Sequence, residues 1–146
     1  MATQYATLRE KIAAESVVRS SRNVDFARWI AEAHVAGIAA GNGAAVVPMV
    51  VSEHANMADD NSPVRKQWFV EGGVCGFAWV TVRPGNCAFA LWAKKNDGWR
   101  SAYGGGTQKW IHEFGQSMQR KEAYAYAYAA VLAAHGIGAS AGSRMD

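Results

Sequence analysis

The segment from Val74 to Val82 constrains the fold more than any other part of the chain. Two sets of residues alternate along it, Val74, Gly76, Ala78, Val80 and Val82 on one face and Cys75, Phe77, Trp79 and Thr81 on the other. Both sets are largely apolar, and a strand that is apolar on both faces is typical of the middle of a sheet covered on both sides. The sequence therefore predicts a central, doubly covered strand that ends at Arg83-Pro84-Gly85.

The N-terminal part of the chain has helical spacing. Residues 4–20 place Tyr5, Leu8 and Ile12 on one stripe. A second helix can begin at a cap formed by Asn23 or Asp25 and end at residues 41–43, because glycine tolerates positive φ. The two segments could also form one long helix with a kink near residues 20–21, and the sequence leaves both arrangements open.

The remaining segments complete an α+β pattern. Strands are expected at residues 45–51, 67–70, 107–114 and 137–142, a short helix at 88–95, a loop at 55–66 and a long helix from Met118 to His135. Pro48 cannot donate to a ladder, so the first strand is expected at a sheet edge or with a bulge. Residues 71–73 are short enough to join strand 67–70 to the central strand as a hairpin.

Hairpin-sized links between strands favour antiparallel pairing. We predict an α+β fold with a mainly antiparallel sheet of four to five strands, packed by two or three longer helices. The 146 residues fit a single domain, with a helical part at 1–43 and the sheet plus C-terminal helix at 44–146.

Composition excludes several classes of protein. Half of the residues are apolar and the net charge is +3, from 15 basic and 12 acidic residues, so disorder is not expected. Neither a signal sequence nor an apolar run of membrane-spanning length is present, which predicts a cytoplasmic protein without membrane contact. Cys75 and Cys87 are expected to be free thiols. The four histidines are scattered, and no catalytic set or metal spacing can be assembled, so neither an enzyme, a cofactor nor a metal site is predicted.

The stretch from Val74 to Lys121 is rich in aromatic rings and cations. It holds four of the six tryptophans and seven basic residues against two acidic ones. Rings interleaved with cations suit a nucleic acid or a nucleotide, although the same rings can fill a core. The candidate ligand-binding residues are Arg83, Trp99, Arg100, Tyr103 and Lys109. Trp99 and Arg100 are expected in a loop, where a buried tryptophan is harder to explain.

The C-terminal helix has a face that is poor in charge. Tyr126, Ala129 and Ala133 lie on it by helical periodicity. One interpretation is an alanine-rich solvent face, since alanine is the best helix former. The other is a contact between subunits of a homo-oligomer, with Tyr126 as its anchor.

Four segments resemble a known group of proteins: VCGFAWVTVRPG, YGGGTQKW, QSMQRKEAYAYAYAAVL and GIGASAGSRMD. They are similar to small, largely uncharacterised accessory proteins of tailed bacteriophages and prophages, over about residues 70–146. The resemblance implies an accessory protein in the cytoplasm of a host cell. From the basic and aromatic surface at residues 83–121, we expect a non-catalytic protein that binds an anionic partner, a nucleic acid or a nucleotide. The alternatives are an anti-defence inhibitor that binds a host protein or sequesters a nucleotide signal, and a structural component of the virion.

Overall fold

One continuous helix forms the N-terminal part of the fold. The structure, a computed structural model, describes residues 7–146, and helix α1 spans Leu8–Asn42. The Thr7 hydroxyl accepts a hydrogen bond from the N–H of Glu10, and the Glu10 carboxylate accepts one from the N–H of Thr7, each at 3.2 Å. This reciprocal cap fixes the start of the helix. Of the two arrangements that the sequence left open, the single helix is found; residues 4–6 lie outside the described part.

Six strands and two more helices follow within the described residues. The strands are β1 Met49–His54, β2 Val64–Val70, β3 Gly76–Val82, β4 Arg100–Ser101, β5 Thr107–Trp110 and β6 Ala139–Met145. The helices are α2 Ala88–Asn96 and α3 Met118–Ala134. The strands form two antiparallel sheets, and the predicted α+β class is confirmed.

Strand β3 lies at the centre of the larger sheet, as the sequence predicted. The strand order is β4-β5-β3-β6, and every pairing is antiparallel. The predicted hairpin between residues 67–70 and β3 is wrong, because β2 pairs with β1 in a separate two-stranded ribbon. Strands β5 and β6 occupy both edges of β3, so no edge is left for β2.

The helices cover one face of this sheet in two layers. Helix α3 packs on β3 and β6, and α1 packs on α3. Ala78, Val80 and Val82 on the covered face are fully buried. The expectation that β3 is covered on both sides is wrong, because α1 stacks on α3 instead of crossing to the other face. Phe77 and Trp79 are therefore only half-buried.

Small residues let α1 and α3 approach closely. A Cβ atom at Gly37 would lie 2.6 Å from the Tyr124 ring, and one at Gly41 would overlap the Phe114 ring. Phe114 itself has a φ of 68°, a left-handed conformation that side chains rarely adopt. The two glycines thus provide the space in which aromatic rings from α3 and the preceding loop pack against α1.

Candidate functional site

Trp99 belongs to the core, and the expectation of an exposed ring is wrong. Its side chain is 2% exposed, and its indole N–H donates to the Asp97 carboxylate at 2.8 Å. The ring meets Phe89 of α2 edge to face at 5.7 Å and lies 6.3 Å from Tyr128 of α3. Trp99 lies three residues after the end of α2, in the short loop before β4, and the packing of α2 and α3 around this loop buries its ring.

Lys109 lies on the covered side of β5. It is paired with Val80, a buried residue of the covered face, and its ammonium nitrogen lies 3.5 Å from the Asp97 carboxylate. Trp110 points to the opposite side of the strand because successive residues alternate. The structure therefore separates the Lys109 charge from the Trp110 ring and pairs it with a carboxylate.

Arg100, Tyr103 and Arg83 are exposed. Arg100 pairs with Gln108, which pairs with Thr81, so these three side chains share the uncovered side of the sheet. Both Arg83 and Thr81 contact Gly106, where an added Cβ atom would lie 2.9 Å from each side chain. Arg83 therefore reaches the same side, at the end of β3. Tyr103 is fully exposed in the turn between β4 and β5.

The uncovered side of the four-stranded sheet, here called the open face, is defined by register. Its residues are Phe77, Trp79 and Thr81 of β3, Arg100 of β4, Gln108 and Trp110 of β5, and Ser140, Gly142 and Arg144 of β6. No helix of the described residues packs on it. None of these nine residues is acidic; Asp146 follows just after β6.

Three aromatic rings form a continuous platform on the open face. The Trp110 ring lies 5.1 Å from that of Trp79 and 5.9 Å from that of Phe77, measured between ring centroids. Trp79 lies against Gly142, where a Cβ atom would come within 2.6 Å of the indole nitrogen. Glycine at this position therefore allows the ring to lie on the backbone of β6. Trp110 is 39% exposed, so the platform reaches solvent.

Cations stand at both ends of this platform. The Arg144 guanidinium lies 5.4 Å from the centroid of the Phe77 ring, a cation–π contact. Arg83 and Arg100 lie toward the opposite end of β3. Within the described residues none of the three has a carboxylate within 4.0 Å. The open face thus carries aromatic rings in tilted and edge-to-face contact, between cations that have no carboxylate partner among residues 7–146.

Sequence reasoning missed Phe77, Trp79, Trp110 and Arg144 as site residues. Alternation in residues 74–82 did put Phe77 and Trp79 on one side, but their apolar character predicted burial. Nothing in the sequence indicated Arg144 as a binding residue, because it lies in a terminal stretch of small residues. Only the layering of α1 on α3 leaves this side of the sheet without a cover.

The three residues of the proposed contact face of α3 differ in their exposure to solvent. Ala129 is buried, with 5% of its surface exposed, which contradicts its assignment to an outer face. Tyr126 is 56% exposed and Ala133 is also exposed. Helix α3 lies between α1 and the sheet and is therefore buried on two sides. This position explains why its sequence carries so few charges.

The buried hydroxyls of α3 stay neutral. Burial raises the pKa of Tyr124 and of Tyr128 far above the ordinary tyrosine value, and the nearby carboxylates of Glu113 and Asp97 act in the same direction. The Tyr124 hydroxyl lies 2.7 Å from Nδ1 of His34. Within the described residues, no group of three histidine, cysteine or acidic side chains is placed to hold a metal ion.

Comparison with known proteins adds no relative to this picture. No family model, no curated protein and no solved structure matches the chain. Among residues 7–146, no helix has both the length and the apolar character needed to cross a bilayer.

Proposed function

We propose that the protein is a non-catalytic binding protein that holds single-stranded nucleic acid on its open face. The observation that carries this proposal is the platform of Phe77, Trp79 and Trp110 between Arg144 at one end and Arg83 and Arg100 at the other. Bases stack on aromatic rings, and arginine pairs with phosphate oxygens in bidentate geometry.

The width of the open face fits a short stretch of single-stranded nucleic acid. Neighbouring strands of a sheet lie about 4.8 Å apart, so four strands span roughly 14 Å. Aromatic side chains on the open face of a four-stranded sheet are a known way of stacking two or three unpaired bases. Bases inside a duplex are already stacked on each other, so the platform favours single strands over duplexes.

Fluorescence anisotropy with labelled 12-nucleotide single strands tests the proposal. We expect binding at 50 mM salt that weakens as salt rises, with Trp110→Ala weakening it by about 5- to 150-fold, the equivalent of ~1–3 kcal/mol per stacked base. The matched control is Tyr126→Ala, which removes an exposed ring from α3 and should leave affinity unchanged. Equal affinity of Trp110→Ala and the unaltered protein would overturn the proposal, as would the absence of binding to DNA and RNA single strands.

The arginines give a second, independent readout. Each phosphate contact on a single strand contributes about 0.7 to the slope of log affinity against log salt concentration. We expect the double variant Arg100→Gln/Arg144→Gln to lower that slope by about 1.4. An unchanged slope would mean that these cations do not meet phosphates.

One observation favours the alternative, binding of a host protein. The β1–β2 ribbon exposes apolar side chains, with Val50 53%, Trp68 44% and Phe69 64% exposed. A two-stranded ribbon with exposed apolar residues can accept a further strand from a partner. Phe69→Lys would disrupt such a contact and leave nucleic-acid affinity unchanged, so the two functions are separable. Origin in a phage, implied by the resemblance above, stays a prediction.

A further inference from the structure

A positively charged cavity lies on the helical side of the molecule, apart from the open face. It is a cleft of about 560 Å³ between the N-terminal half of α1 and α2. This volume is in the range of small-molecule sites. Its lining contains Arg19, Arg22 and Lys95, three asparagines and Trp92, and no carboxylate.

The cations of this cleft have no acidic partners in the part of the chain that the structure describes. Within the described residues, no carboxylate oxygen lies within 4.0 Å of the side-chain nitrogens of Arg19, Arg22 or Lys95. Arg19 and Arg22 are three residues apart and therefore neighbours on one side of α1. Lys95 faces them from α2. Three like charges around one cleft repel each other, and a ligand with several negative charges would neutralise them.

Trp92 supplies a rigid ring beside these charges. Its ring lies 5.8 Å from that of Phe26 in α1 and 6.4 Å from that of Phe89 in α2. These contacts hold the indole in place, while the half-buried side chain still lines the cleft. The amide of Asn86, also in the lining, can both donate and accept hydrogen bonds.

We propose that this cleft is a separate binding site for a nucleoside phosphate. The planar base would stack on Trp92, the phosphates would lie among Arg19, Arg22 and Lys95, and the asparagine amides would bond to polar groups of the base or sugar. Helix α1 packs on α3, which covers one face of the sheet, and α2 packs against α1 through Phe89 and Phe26, so the cleft is distinct from the open face. A ligand here does not compete with a strand bound there.

Isothermal titration calorimetry at 50 mM salt with AMP, ADP, ATP and inorganic phosphate tests this assignment. We expect affinity to rise from AMP to ATP, and each nucleotide to bind more tightly than phosphate. Arg22→Gln and Lys95→Gln should each weaken ADP binding about tenfold. The matched control is Arg28→Gln, on the same helix but outside the cleft and paired with Asp25 at 3.0 Å; it should change nothing.

The indole N–H resonances of the six tryptophans give the position of the ligand. With Trp92 assigned from the Trp92→Phe spectrum, ADP should shift the Trp92 signal and leave that of Trp110 unmoved. Three results would overturn the proposal: phosphate binding as tightly as ADP, no loss of affinity in Arg22→Gln, or displacement of ADP by a single-stranded oligonucleotide. Failure of strand binding to the open face would leave these readouts intact, so the two proposals are tested separately.

Discussion

Two tyrosines of α3 lead to opposite expectations for the loss of one hydroxyl group. Tyr124 and Tyr128 are one helical turn apart, and both are fully buried. The Tyr124 hydroxyl lies 2.7 Å from Nδ1 of His34. The Tyr128 hydroxyl has no hydrogen-bond partner among the described residues. Replacing each with phenylalanine keeps the ring and removes only the oxygen.

The size of the two effects follows from hydrogen-bond energetics. An intramolecular hydrogen bond contributes ~0.5–1.5 kcal/mol net, whereas a buried group without a partner costs ~1–3 kcal/mol. Tyr124→Phe should lower the free energy of unfolding by about 1 kcal/mol, and Tyr128→Phe should raise it by about 1 kcal/mol. For a chain of this length each kcal/mol moves Tm by about 2–4 °C, so the two variants should differ by roughly 4–8 °C.

Urea unfolding followed by circular dichroism measures both changes. The dependence of the unfolding free energy on urea should stay constant, because neither variant alters the surface exposed on unfolding. The double variant His34→Ala/Tyr124→Phe is the control, since the loss at Tyr124 should shrink when its partner is absent. If Tyr128→Phe proved as destabilising as Tyr124→Phe, the Tyr128 hydroxyl would have a partner and the argument would be refuted.

Three further perturbations test the fold. Above about pH 10 the tyrosines of the unfolded chain lose their phenolic protons, whereas Tyr124 and Tyr128 keep theirs in the folded protein because their pKa values are raised. The free energy of unfolding should therefore be unaffected below that pH and fall above it by up to ~1.4 kcal/mol per pH unit for each tyrosine. Urea unfolding at a series of pH values measures this slope, and the double phenylalanine variant should lack it. Gly41→Ala should cost about 1–3 kcal/mol in the same assay, because its methyl group meets the Phe114 ring; an increase in stability would show that helix propensity outweighs the clash. Trp99→Ala should cost about 3–5 kcal/mol, and a loss below 1 kcal/mol would contradict its place in the core.

The sequence was sufficient for features that depend on local chemistry. The hydroxyl of Ser117 accepts from the N–H of Arg120 at 3.4 Å, and this N-cap directly precedes the helix that the sequence predicted from Met118 to His135. The alternation in residues 74–82 predicted β3 as the central strand, and the structure pairs it on both edges. Caps, turns and alternation involve residues close in the chain, so their energetics can be read without knowledge of the fold.

The sequence was insufficient where the outcome depends on how layers stack. Phe77 and Trp79 are apolar residues of the kind usually found in a core. They stay only half-buried because α1 stacks on α3 and does not cover the second face of the sheet. Trp99 shows the converse, because α2 and α3 close over a residue that follows a turn. The candidate site therefore moved from the 99–109 loop region to the open face, keeping Arg83 and Arg100 and gaining three rings.

Helix α1 is continuous, but its two halves differ in how strongly packing protects them against local unfolding. Almost every side chain from Leu8 to Arg22 is exposed, and the first buried residue is Phe26. This segment extends about 22 Å along the helix axis, and a helix of this length without packing is marginal in water. Its amide protons should exchange by local fraying, while those beyond Phe26 exchange only when the domain unfolds. Arg19 and Arg22 lie on the weakly protected half, so occupation of the α1–α2 cleft should be visible as slowed deuterium uptake there.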